Sequence, residues 1–192
     1  KVEHSSARML SLIRDILGYS QLARDKQKPS KIDLNQVLEN ILADFELLIE
    51  EKAATITADH LPVIEGIPVQ INQLFANLIS NGLKFAHKDR KAAIRVQLSL
   101  LSVNEIRAHR ELRPDMKYFK ISFCDNGIGF NQKNAQQIFE IFQRLHGKGD
   151  YEGTGIGLAM CKKIALNHQG DIVAESVEGQ GSAFHVFLPE RQ

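Results

Sequence analysis

Three glycines in five residues, Gly153-Thr154-Gly155-Ile156-Gly157, stand directly ahead of an apolar run with helical spacing: Ile156, Leu158, Ala159, Ile164, Ala165 and Leu166. That juxtaposition constrains the fold more than any other stretch. Glycines at a helix entrance leave backbone N–H groups uncovered, and the helix dipole adds partial positive charge, so the segment is a ready cradle for an anion. Two common phosphate loops do not fit. A dinucleotide fingerprint needs a preceding strand and a glycine where Leu158 stands, and Gly-x-x-x-x-Gly-Lys-Ser/Thr occurs nowhere.

Other motifs extend the pattern. In Asn77-Leu78-Ile79-Ser80-Asn81-Gly82-Leu83-Lys84-Phe85, a turn of about 100° per residue puts Asn77, Asn81 and Lys84 on one helix face. Ile71, Leu74, Phe75, Leu78 and Phe85 gather on a neighbouring face. Amide oxygens are hard, neutral ligands suited to a magnesium ion that already holds phosphate and water, and the lysine meets phosphate as a point charge. Taken alone, the same residues also describe a solvated helix face. Asp125-Asn126-Gly127-Ile128-Gly129 contains an Asn-Gly hairpin signal, yet no alternating strand follows it. An aspartate ending a strand can accept from an exocyclic amino group, with glycines letting the base approach the backbone. Gly179-Gln180-Gly181-Ser182 falls in the turn of a final hairpin. Between the loops, the phenylalanines of Ile138-Phe139-Glu140-Ile141-Phe142-Gln143-Arg144 read as anchors, and the stretch around Gly147-Lys148-Gly149 as a lid. Arg144 is a candidate to neutralise charge on a transferred group. Together the motifs describe a pocket for a magnesium nucleotide.

The remaining pattern frames that pocket. Val2 to about Lys28 reads as a helix with Met9, Ile13, Ile16 and Ala23 on one seam and Leu10 and Leu17 beside it, and Pro29-Ser30-Lys31 as a joint. A helix is expected over Leu34 to Lys52 with Asp33 as N-cap, then short strands at Ala54–Thr57 and Val63–Glu65. Pro68 opens the Asn-rich helix. Strands Ala92–Leu101 and Lys117–Cys124 are joined by a charged connection, followed by a short helix near Ala135–Phe139 and a longer one from Gly155 to His168. Asp171–Ser176 and Ser182–Leu188 close as a hairpin. Without regular strand–helix alternation, the expected class is α+β: a two-layer α/β sandwich of a mixed, mostly antiparallel sheet covered by helices, preceded by one long helix.

Composition sets limits on function. Lys and Arg (24) nearly balance Asp and Glu (23) over 192 residues, so no strong field points to nucleic acid or a membrane surface. No apolar run approaches the ~18 residues of a membrane span. Cys124 and Cys161 have no paired spacing and read as buried free thiols in a reducing, cytoplasmic compartment.

These motifs resemble the N, G1, G2 and G3 boxes of sensor histidine kinases, and Phe139 to Arg144 resembles their F box. The wording from Phe139 to Lys163 is similar to the phytochrome-type branch. The resemblance covers about Ile32 to Pro189 and implies the ATPase sandwich shared with gyrase, MutL and the heat-shock chaperone ATPases, acting on ATP with magnesium. It implies that Asn81 coordinates magnesium, Asn77 assists it, Lys84 touches phosphate and Arg144 supports transfer. Asp125 would hold the adenine amino group, and Gly127 and Gly129 would shape the base pocket. Gly153, Thr154, Gly155, Gly157 and Leu158 would cradle phosphates, with Ser182 in the same site. Gly82 replaces the usual alanine, a change expected to matter little. Hydrolytic relatives place a glutamate at position 77, whereas an asparagine amide is no base at neutral pH, so transfer to an imidazole fits better than hydrolysis.

The family's acceptor histidine is followed by an acidic residue. None of His4, His60, His87, His109, His146, His168 or His185 is. The expectation is therefore a truncated kinase. Residues 1–28 would be the second helix of a dimerisation and phosphotransfer domain, 29–31 a linker and 32–192 the ATP-binding domain. The acceptor helix of the homodimer and a response regulator would be its partners. A hydrolytic ATPase of the same fold and a non-catalytic nucleotide-sensing module remain the alternatives.

Overall fold

Asp33 both ends a strand and starts a helix, because its side-chain oxygen accepts from the Asn35 N–H at 2.9 Å. The computed structural model describes residues 2–22, 27–145 and 153–191. In it α1 (Val2–Leu22) precedes β1 (Ser30–Asp33), which runs into α2 (Leu34–Asp44). Ser30 and Lys31, expected to be part of a joint, instead pair antiparallel with Gly66 and Glu65 of a later strand. The single helix expected to reach Lys52 breaks at Phe45, which leaves helical ψ and separates α2 from α3 (Glu46–Glu51). β2 (Thr55–Ala58) and β3 (Val63–Gly66) lead to α4 (Pro68–Lys84), with proline in its first turn.

β4 (Ala93–Leu100) and β5 (Tyr118–Asp125) are not joined by an open connection. Ser102 and Glu105 close a capping box, which starts α5 (Val103–Ala108). Ile106 and Leu112 then pack with Leu101, Tyr118 and Phe187 in a small second core. Two 3-10 turns, Gln132–Asn134 and Gln137–Phe139, replace the short helix expected near Ala135. α6 (Gly157–Asn167), β6 (Asp171–Val177) and β7 (Gly181–Pro189) complete the chain.

The main sheet has the order β2-β4-β5-β7-β6. β2 pairs parallel with β4 and all other pairings are antiparallel, so the fold is the expected mixed two-layer sandwich. Strand alternation sends Ile94, Val96, Ile121, Phe123, Phe184 and Val186 to one face. There they meet Leu74, Phe75 and Leu78 of α4 and Cys161 and Ile164 of α6. Phe75 and Phe123 lock that layer edge to face, with centroids 5.0 Å apart. The apolar seam of α1 is open to solvent: Met9, Leu10, Ile13, Ile16 and Leu17 are exposed, while Leu12, Tyr19 and Leu22 pack against the core.

The two helices that carry the nucleotide motifs are tied together by a buried histidine. His168 follows α6, and its Nδ1–H donates to the Ile164 carbonyl at 2.8 Å while Nε2 accepts the Ile67 N–H, at the entrance of α4, at 3.0 Å. Both nitrogens are thus committed to the neutral ring, and burial holds its pKa below the usual 6.5. A base with a depressed folded pKa contributes stability that is complete above pH 6.5 and lost as pH falls through the folded value. His168→Ala is expected to lose about 2–3 kcal/mol at pH 7.5, since it strands the Ile67 N–H and opens a cavity. Urea unfolding at pH 7.5 and 5 checks this: the gap between variant and wild type should narrow at the lower pH.

Candidate functional site

The entrance of α6, the polar face of α4 and the end of β5 enclose a cavity of about 380 Å³. Asn77, Asn81, Lys84, Asp125, Gly129, Arg144, Gly153, Thr154, Gly155, Gly157, Leu158 and Ser182 all line it. Gly127 does not; it acts from behind, its N–H donating to Asp125 Oδ1 at 2.8 Å. A side chain there would strike the Phe85 carbonyl, because a Cβ would lie 2.3 Å from that oxygen. The lid around Gly147-Lys148-Gly149 lies outside the described residues.

One end of the cavity suits a heteroaromatic base. Asp125 is the last residue of β5, opposite Ser182 of β7, whose N–H also reaches Oδ1 at 3.3 Å. Burial is the main influence on this carboxyl and raises its pKa from 3.8 to about 6, against the N–H donors of Gly127 and Ser182 and the charge of Arg90. Ile128, Phe130, Ile138 and Phe184 supply apolar walls. A half-buried carboxylate among apolar walls is the arrangement that selects a donor on an aromatic ligand.

The other end suits phosphate. α6 opens here, so its uncovered N–H groups and dipole face the cavity. A Cβ on Gly153 would lie 2.5 Å from Lys84 Nζ, and one on Gly157 would lie 3.5 Å from Asn77 Oδ1, so loop and Asn-rich face are in direct contact. Lys84 also stands over the Phe85 ring, 4.5 Å from its centroid. Asn77 Nδ2 points to the Gly157 carbonyl at 3.5 Å. Among the described residues no cluster of His, Cys, Asp and Glu could hold a metal by itself. The neutral oxygens of Asn77 and Asn81 beside Lys84 instead fit a hard cation that arrives with phosphate oxygens already bound.

Several details depart from the sequence reading. Phe142 is no anchor: it is 57% exposed at φ 67°, and Ile138 with the half-buried Phe139 holds that segment. A Cβ on Gly82 would sit 2.7 Å from Ile94 Cδ1, the far end of a side chain that would have to shift to admit it. Cys124 is only half-buried. Burial raises its thiol pKa and pushes that of the enclosed Cys161 up to about 12, so neither is a thiolate near neutral pH.

Two polar residues outside the expected site set hold the base end. Arg90 donates from Nη2 to the Gly127 carbonyl (2.9 Å) and the Gly179 carbonyl (2.6 Å), stapling two loops together. Asn126 donates to the Lys91 carbonyl and accepts the Ala93 N–H, both at 2.9 Å. The Asn-Gly step was the local signal for Asn126; for Arg90 there was none. Asp15, from α1, also lines the cavity.

Residues 66–192 match the family model described as histidine kinase-, DNA gyrase B-, and HSP90-like ATPase. Phytochrome-like protein Cph1 of Synechocystis is 37% identical over 94% of this chain and 22% of its own length. The sensor histidine kinase RcsC of Escherichia coli is 29% identical over 98% of this chain and 19% of its own. The chain thus spans about a fifth of the length of these curated relatives. Among solved structures, the catalytic domain of histidine kinase ThkA superposes with a TM-score of 0.67 at 19% identity, covering 86% of this chain and all of that one. Full-length ShkA in complex with AMPPNP gives 0.75 at 21% identity, over 97% of this chain and 36% of that one. At those identities the likeness concerns the fold.

Proposed function

We propose a reaction for a chain that belongs to the histidine kinase-, DNA gyrase B-, and HSP90-like ATPase family: it binds magnesium ATP and passes the γ-phosphoryl group to a histidine on another helix. The observation that carries this reading is the two-ended cavity. A half-buried Asp125 stands at the apolar end, and the entrance of α6, Lys84, Asn77 and Asn81 stand at the other.

Asp125 accepts from the adenine amino group. Gly153, Thr154, Gly155, Gly157 and Leu158 present the α6 entrance to the phosphates, while Lys84 and Arg144 balance their charge. Asn81, assisted by Asn77, offers an amide oxygen to the magnesium ion, which neutralises phosphate charge when bound. A neutral imidazole nitrogen attacks the γ-phosphorus, the bond to the β-phosphate bridging oxygen breaks, and ADP leaves with that oxygen. Asn77 cannot draw a proton from water, so hydrolysis competes poorly.

None of the chain's own histidines is proposed as acceptor. His168 and His185 are buried, and His109 packs on Phe187 with ring centroids 4.5 Å apart. The acceptor belongs to a dimerisation and phosphotransfer unit of which residues 1–28 supply the second helix, with a response-regulator aspartate receiving the group afterwards. A cytoplasmic setting suits two free thiols. No described helix is long and apolar enough to cross a membrane.

Calorimetric titration with ATP, with and without magnesium, tests the proposal on wild type and Asn81→Ala. Wild type should bind saturably and at least about tenfold more tightly with magnesium, and Asn81→Ala should lose most of that enhancement. A well-folded wild type that binds no ATP would end the reading.

A further inference from the structure

α1 lies outside the matched residues 66–192, yet it reaches the phosphate end of the cavity. Thr154 Oγ1, in the glycine loop, donates to Asp15 Oδ2 at 2.6 Å. Gly18 faces Met160 of α6 (a Cβ there would be 3.6 Å from Met160 Cε), and Asn167 at the far end of α6 donates from Nδ2 to the Leu22 carbonyl at 3.0 Å. α1 therefore lies along α6 from its glycine entrance to its last residue. The attachment is narrow, since Met9, Leu10, Ile13, Ile16 and Leu17 all face away and remain exposed.

A carboxylate is an odd guest at an anion site. A helix N-terminus and glycine loop attract negative charge, and Asp15 supplies one from within the chain. Its oxygen takes a donor of the loop where a nucleotide phosphate would be received. A second anion brought beside it meets both repulsion and a donor already engaged.

We propose that Asp15 is an internal competitor for the phosphate loop, so that docking of α1 through Asp15 and binding of the nucleotide phosphates oppose one another. This rests on the ATP-binding reading above. Coupling is reciprocal: α1 lowers the affinity for ATP, and ATP loosens α1 by the same factor.

The test compares ATP with adenosine, which carries the base but no phosphate, on wild type, Asp15→Ala, Thr154→Val and the double variant. Asp15→Ala should bind magnesium ATP about tenfold more tightly than wild type, the scale of a charge-assisted hydrogen bond, and adenosine equally well. In the Thr154→Val background the Asp15 substitution should add much less, because the two groups act as a pair. Saturating ATP should also speed hydrogen exchange in residues 16–22 of wild type. Unchanged or weaker ATP binding by Asp15→Ala would overturn the proposal, as would an equal gain for adenosine, which would indicate general loosening. A wild type that binds neither ligand would instead remove the ATP-binding reading itself.

Discussion

Asp125→Asn is expected to make the ligand-free chain more stable at pH 7.5 and, in the same sample, to cost it ATP. The carboxyl titrates at about 6 because it is buried, so at pH 7.5 the folded chain holds a charge that the unfolded chain would hold more cheaply. Asparagine removes the charge and keeps an oxygen for the N–H groups of Gly127 and Ser182. The shift from 3.8 to about 6 corresponds to no more than about 3 kcal/mol, or roughly 6–12 °C in Tm for a domain of this size. The sign follows from proton uptake. An acid with a raised folded pKa binds more protons folded than unfolded between the two values, so wild-type stability falls as pH rises from about 4 to about 6. Scanning calorimetry should show the variant's advantage at pH 7.5 and little of it at pH 4. Binding moves the other way: an Asn Nδ2 facing the adenine amino group sets donor against donor, and affinity should fall about 10- to 100-fold. A variant that binds ATP like wild type would remove Asp125 from the base site, and one less stable at pH 7.5 would refute the burial argument.

Gly129→Ala should do far more damage than Gly179→Ala on the adjoining hairpin turn. Gly129 has φ 60°, and a Cβ would stand 2.2 Å from the Val177 carbonyl and 2.9 Å from that of Gly181. The backbone cannot step aside, because neighbouring bonds hold it on both flanks. Gly179 N–H donates to the Ile128 carbonyl at 2.6 Å, and Phe130 N–H donates to Ser176 Oγ at 2.8 Å. A loss of about 3 kcal/mol or more is expected, with ATP binding lost because Ile128 and Phe130 wall the base end. Gly179→Ala is the control. Its φ of 78° is also left-handed, but nothing lies within 4 Å of a Cβ there, so only about 1 kcal/mol of backbone strain is due. Urea unfolding of both variants separates collision from conformation. Equal losses would show that φ alone governs these glycines.

The contrast marks what is local in this protein. The apolar face of α4, its proline start, the Asp33 cap and the final hairpin were legible because each depends on residues a few positions apart. The capping box Ser102-x-x-Glu105 was equally local, but the charges after it masked the helix it begins. The break at Phe45 was not legible, since the apolar periodicity runs through it and only packing of the partly buried Phe45 ends α2 there. The α1 seam has a related limit: periodicity shows that a helix has an apolar stripe without showing what the stripe meets.

The order and chemistry of the motifs were thus settled by the sequence alone. A glycine loop that needs an anion, amides at helical spacing and an aspartate at a strand end keep their chemistry wherever they fold. The tertiary structure alone decided which groups converge on them. Arg90 reaches Gly127 and Gly179, His168 holds Ile67, and Asp15 reaches Thr154, each across a separation no periodic pattern spans. Such contacts form only once the sheet and helices have buried their apolar faces, because burial sets the distances at which a single charge or ring nitrogen finds its partner.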